Sequence, residues 1–136
     1  MTAARSPEPE PLPPIRLAIP ADFRYLRVAR VTSAAIAADL DFSVQDIDDV
    51  RVAVDELSAL LIEDAKEGAE LEICFALGGG GLDVDGRVTG GSSEAASLHP
   101  VAAELLALVV DRYDVAVDRS RGRTFRFRKQ PGGGQE

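Results

Sequence analysis

Three arginines, Arg24, Arg27 and Arg30, recur every third residue in a segment of helical periodicity. That spacing sets them along one side of a helix. A guanidinium grips a carboxylate through two parallel hydrogen bonds, so such a stripe suits a protein interface; it also suits a solvated helix face. His99 is the only histidine and Cys74 the only cysteine. One of each excludes an internal disulfide and a multi-cysteine metal site, and no Ser-His-Asp or Cys-His arrangement can be argued from them. No metal ligand set is therefore expected, and Cys74, in an apolar stretch, is expected in the core. The four glycines 78–81 lie between two strand-like segments, so they read as a hairpin turn and not as a phosphate loop.

The elements that would position these residues follow from the rest of the chain. Its 136 residues suit one domain with a real core. Aromatic residues make up 5% and tryptophan is absent, so Ala, Val and Leu must fill that core. The formal net charge of −8 argues against general affinity for nucleic acid. It leaves room for a basic protein partner, and it also simply favours solubility. No apolar run reaches the roughly 20 residues of a membrane span, and no secretion signal is visible. A soluble protein of the reducing cytoplasm is expected.

Residues 1–14 are rich in Pro and Glu and read as a disordered tail, as do residues 131–136, so the folded part spans 15–130. Ile15–Ile19 alternates and ends at Pro20, which predicts an edge strand. Asp22 caps a helical segment with Leu26, Ala29, Ser33 and Ile36 on its inner side. Ser43 and Asp46 form a capping box for a second helix, whose apolar stripe is Ile47, Val50, Val54, Leu57 and Leu61. Gly68 is expected to end it. Glu70–Leu77 and Leu82–Val88 read as a hairpin. A third helix covers about 99–111, with Val101, Leu105, Leu108 and Val109 inward. Tyr113–Val117 and Thr124–Lys129 complete the order β-α-α-β-β-α-β-β. Arginines 119, 121, 123, 126 and 128 form a second basic stretch that strand alternation splits between two faces, which suits the protection of a sheet edge. Three helices with one apolar stripe each need a single sheet face. The fold class is thus α+β: a two-layer sandwich with a mostly antiparallel five-stranded sheet.

This order resembles that of the anti-sigma-factor serine kinases, of the GHKL superfamily with the Bergerat (histidine-kinase-like ATPase) fold. Three segments carry the resemblance: VARVTSAAIAADLD at 28–41, IDDVRVAVDELSALL at 47–61 and LLALVVDRYDVAV at 105–117. It implies a nucleotide site built from three parts. The second helix should bear a Glu as general base and, one turn on, an Asn that ligates Mg²⁺. Here Glu56 stands at the Glu position and Leu60 at the Asn position, so the metal loses an oxygen ligand. The end of the following strand should carry Asp-x-Gly, with the Asp accepting from the adenine amino group. Here Val88-Thr89-Gly90 stands there; a shifted reading offers Asp85-Gly86. A glycine-rich lid should precede the last helix. Here the stretch is SSEAASLHPVAAELL, with Gly90 and Gly91 upstream and Pro100 lacking an N–H for a phosphate.

The resemblance therefore implies ATP and Mg²⁺, whereas the residues at Glu56, Leu60, Val88 and Gly90 imply a vestigial site and no cofactor. It also assigns partner contacts to the first helix, where Arg30 matches the family's interface arginine and Arg27 lies one turn before it. The function expected is sequestration of a sigma factor and exchange for an anti-anti-sigma (STAS) protein, with a homodimer implied by the family. The alternatives are an active ATP-dependent serine kinase using Glu56 on an anti-anti-sigma factor, and a paralogue that pairs with an intact kinase.

Overall fold

The computed structural model describes residues 12–89, 98–118 and 122–132. Eight main elements appear in the expected order: β1 (Ile15–Pro20), α1 (Leu26–Ala38), α2 (Val44–Ile62), β2 (Glu70–Gly78), β3 (Gly81–Val88), α3 (Pro100–Val109), β4 (Arg112–Asp118) and β5 (Gly122–Lys129). A short 3₁₀ turn, Phe23–Tyr25, precedes α1. The strands form one sheet in the order β1-β2-β3-β5-β4, and all four neighbouring pairs are antiparallel. The Pro/Glu-rich residues 1–11, the lid residues 90–97 (Gly90 and Gly91 among them), Arg119 and Arg121 lie outside the described residues.

The alternation read from the strands sorts side chains as expected. Leu71, Ile73, Phe75, Leu82, Val84, Val88, Phe125 and Phe127 all point to the helix side and are buried. Each such side chain contributes on the order of 1.5–3 kcal/mol by leaving water. Gly86 is part of this packing. A Cβ there would lie 2.2 Å from the Phe125 ring, so the missing side chain makes room for the aromatic. The β2–β3 turn uses Gly79 (φ 61) and Gly80 (φ 78), both in the left-handed region that a tight hairpin requires.

Helix α2 crosses the middle of the sheet, with α1 along one side and α3 on the other. Its capping box is formed: Ser43 Oγ accepts from the Asp46 N–H, and Asp46 accepts from the Ser43 N–H, each at 3.0 Å. Leu26, Ala29, Ser33 and Ile36 of α1 are buried as the periodicity predicts. Ser33 turns its hydroxyl back to the Arg30 carbonyl at 2.9 Å, which satisfies it without an outside partner.

Five expectations need correction. Helix α2 ends at Ile62, and Gly68 (φ 84) instead turns the following loop into β2. Asp22 caps the 3₁₀ turn, and α1 begins only at Leu26. In α3, Leu106 and Val109 are buried, while Val101 and Leu108 are exposed. The helix is short and flanks α2, so only a narrow stripe of it meets the core. Cys74 is half-buried and points to the open face of the sheet, because the β2 alternation that buries Ile73 and Phe75 turns it away. Finally, β5 is an interior strand between β3 and β4, so its arginines guard no edge.

Candidate functional site

On the outer row of β5 the arginines are held by cross-strand carboxylates. Arg126 Nε lies 2.9 Å from Asp85 and Arg128 Nη1 lies 2.7 Å from Asp83, while Arg87 pairs with Glu72 on the next strand. Opposite charges facing each other across strands stabilise a solvated sheet face modestly. A shallow hollow of about 400 Å³ opens on that face, lined in part by these pairs. Of its charges, Glu72, Asp85, Arg87 and Arg126 are engaged in these pairs, and of the described positions marked for nucleotide contact only the shifted reading, Asp85-Gly86, opens onto it.

The inner row of β5 reads Arg123, Phe125, Phe127, Lys129, and all four are buried. A strand-centre row that starts and ends with cations needs buried acceptors at both ends. Helix α2 supplies them. From Asp46 to Leu60 the helix rises about 21 Å at roughly 1.5 Å per residue. From Arg123 to Lys129 the strand rises about 20 Å at roughly 3.4 Å per residue. Because the two run in opposite directions, each cation meets one end of the helix.

At the N-terminal end, Lys129 Nζ lies 3.0 Å from Asp49 Oδ2 and 3.6 Å from Asp46 Oδ1, and donates to the Val109 carbonyl at 2.9 Å. The Gly132 N–H also donates to Asp46, which fastens the chain beyond β5 onto the same helix turn. Burial alone would push the Asp46 carboxyl up. The backbone hydrogen bonds from Ser43 and Gly132, the Ser43 hydroxyl and the Lys129 charge outweigh burial and hold it below the usual carboxylate range.

At the C-terminal end, Arg123 is 4% exposed. Its Nη1 lies 3.4 Å from the Leu60 carbonyl and its Nη2 lies 3.1 Å from Asp64 Oδ2. It stands directly across from Val88 in the β3–β5 register. Arg123 thus meets the backbone of one position marked from the sequence as a nucleotide contact, Leu60, and stands across from another, Val88. Both are buried, with side chains that carry no polar atom. Neither fits the group the fold implies, since a phosphate-bound Mg²⁺ needs oxygen ligands and the adenine amino group needs an acceptor. Glu56 lies one turn before Leu60 on α2 and is half-buried. Asp85 points to the open face and pairs with Arg126, so the shifted Asp85-Gly86 reading puts no carboxylate beside Leu60 and Val88 on the helix side.

His99 is the N-cap of α3 and spends its Nδ1 on the Val101 N–H at 3.1 Å, a structural role. The α1 arginines divide. Arg24 is exposed and pairs with Asp22, whose carboxyl is lowered to about 2 by the hydrogen bonds it accepts from Arg24. Arg27 is exposed. Arg30 bridges to Asp55 of α2 at 2.7 Å, so this partner candidate is already engaged within the chain. Around them, Phe23, Val28 and Val31 are 55%, 42% and 60% exposed, and Tyr25 is 40% exposed. The apolar part of this face escaped the sequence reading, because Val28 and Val31 sit among residues that alternate between the core and solvent sides of α1. The buried Lys129–Asp46–Asp49 group was missed too. Its only sequence signal was a lysine in phase with Phe125 and Phe127.

The fold matches a solved relative. The crystal structure of the RsbU and RsbW domains of Rv1364c from Mycobacterium tuberculosis superposes with a TM-score of 0.69 over 88% of this chain and 32% of that one, at 16% sequence identity. The described chain thus has the two-layer architecture of an RsbW domain. By sequence it is 29% identical over 86 residues to the serine-protein kinase RsbW of Bacillus cereus strain G9842, covering 62% of this chain and 54% of that protein. It is 31% identical over 65 residues to RsbW of Bacillus thuringiensis strain Al Hakam, covering 46% and 41%. The matches span about half the length of these curated relatives, or less. No protein-family model matches the chain. In sequence and in fold the chain is thus similar to RsbW. No helix among the described residues is long and apolar enough to cross a membrane.

Proposed function

We propose that this chain regulates transcription by protein binding: it sequesters a sigma factor and exchanges it for an anti-anti-sigma partner, without phosphoryl transfer. The observation that carries this reading is the outer face of α1. Phe23, Val28 and Val31 expose apolar surface beside Arg24, Arg27 and Arg30. Exposed apolar residues rimmed by guanidinium groups are the composition of a protein-binding patch. The likeness to RsbW supports the class of partner, and the apolar side chains of Leu60 and Val88 support the loss of nucleotide chemistry.

Arg30 reaches a partner carboxylate only by leaving Asp55, so capture through it is an exchange of one acidic partner for another. Substituting Arg30→Glu would also set two carboxylates against each other across α1 and α2. The cleaner tests are therefore Arg27→Glu and Val31→Asp, at exposed sites. Pull-down with sigma factors and STAS proteins from the same genome should show capture by the native chain, weakened by more than about tenfold in either variant. Circular dichroism should report an unchanged fold. Capture at native strength in both variants would sink the assignment of this face. The absence of phosphoryl transfer has its own test. A partner phosphorylated by the native chain with ATP and Mg²⁺, and left unmodified by Glu56→Ala, would establish the kinase reading instead.

A further inference from the structure

We infer that Arg123 is a built-in plug: its buried side chain fills the space between the end of α2 and the end of β3, and this is what shuts an adenine base out. The inference rests on the reading of the nucleotide site as vestigial and names the residue that closes it.

Three observations converge. The guanidinium donates to the Leu60 carbonyl and pairs with Asp64, while the Cα of Arg123 lies across from Val88. It thus lies between the two positions that a nucleotide would have to contact. The side chain is 4% exposed, so it fills space that is closed to solvent. Its entry into the cleft is also fixed by the strand. Gly122 has φ 84, and a Cβ there would lie 2.2 Å from the Val88 carbonyl oxygen, so β5 begins in tight contact with the end of β3. From that start, strand alternation sends Arg123, Phe125 and Phe127 to the same side. Withdrawing Arg123 by a register shift would carry both phenylalanines out of the core with it.

The exclusion is chemical as well as steric. A guanidinium only donates hydrogen bonds, and so does the adenine amino group. Donor facing donor in a closed site leaves both unsatisfied, which is costly. Without the guanidinium, the apolar side chains of Leu60 and Val88 would flank a space suited to a flat heteroaromatic ring. The competing account makes Arg123 a brace alone, a cation on the carbonyl end of α2 where the helix dipole favours it.

Titration calorimetry on the full chain with adenosine, and with ADP plus Mg²⁺, separates the two. Arg123→Ala should bind adenosine about tenfold more tightly than the native chain. Asp64→Ala, at a carboxylate 55% exposed, releases one anchor of the guanidinium and should give a smaller increase. A folded Arg123→Ala that binds adenosine no better than the native chain overturns the plug. Should Arg123→Ala fail to fold, Asp64→Ala carries the test, and unchanged affinity there overturns it equally. Native protein that itself binds adenosine and ADP with Mg²⁺ at a Kd of about a micromolar would sink the vestigial site along with the plug. Partner capture through α1 reads independently, since Arg123 lies outside that face.

Discussion

The two ends of α2 make a natural comparison. Each receives a cation from the inner row of β5, and each is buried, yet the electrostatics are opposite. Lys129 approaches the N-terminal end, where the helix dipole opposes a positive charge. It is held there because Asp46 and Asp49 lie in the first turns and the Val109 carbonyl completes the shell. Arg123 approaches the C-terminal end, where the dipole favours it, and meets the Leu60 carbonyl and an exposed carboxylate, Asp64. The first end joins α2, α3, β5 and the segment beyond β5 into one closed group. The second joins α2 to the start of β5, across from Val88 at the end of β3. A similar device thus locks one end of the helix and closes the other. The difference lies in what surrounds each cation, not in the cations themselves.

This comparison can be broken most decisively at the locked end. Lys129→Met leaves two buried carboxylates without their counter-charge and should cost about 3–5 kcal/mol, read as a lowered urea midpoint. A cost well under that would mean that water reaches the group and the lock is loose. At the other end, Arg123→Ala should cost less, about 1.5–3 kcal/mol, because one of its partners, Asp64, is exposed and can be hydrated. Equal costs would erase the distinction between the two ends.

The pH dependence sharpens the comparison further. The Asp46 carboxyl is held below its ordinary 3.8 in the folded chain. Its contribution to stability is therefore fully present above 3.8 and lost as pH falls through the lower folded value. Asp46→Asn should flatten the acid limb of stability below that pH, read as urea midpoints measured across the acid range. The smallest effect belongs to α1. Arg27→Glu should alter stability by no more than about 0.5 kcal/mol while removing partner capture. A large stability loss there would show Arg27 to be structural.

Much of the architecture was legible because period decides it. The 3.6-residue stripe of α2 and the alternation in β2, β3 and β5 need no tertiary information to assign a buried side. The Ser43–Asp46 cap and the glycine hairpin are equally local. The short α3 misled, since ten residues carry too few turns to define a face, and its exposed Val101 and Leu108 looked like core.

The marked residues fared differently. Chain order and motif spacing marked Leu60 and Val88 as expected contacts, and in the structure Arg123 meets the Leu60 carbonyl and stands across from Val88. Arg123 itself looked like one member of a basic run guarding an edge. Only the strand order β1-β2-β3-β5-β4 shows that β5 is interior and that its two rows of cations have separate fates. Arg30 looked like a free interface residue until the packing of α1 on α2 brought Asp55 to it.

By itself the sequence determined which side of each long element faces inward, the cap that starts α2 and the glycine turn of the β2–β3 hairpin. These are local matters, set by period, capping and side-chain chemistry. Only the tertiary structure decided where the cations of β5 go, because a charge finds its partner through space. The antiparallel run of α2 over β5 matches about 21 Å of helix to about 20 Å of strand. That match of lengths puts Lys129 on Asp49 and Arg123 on the last turn of α2.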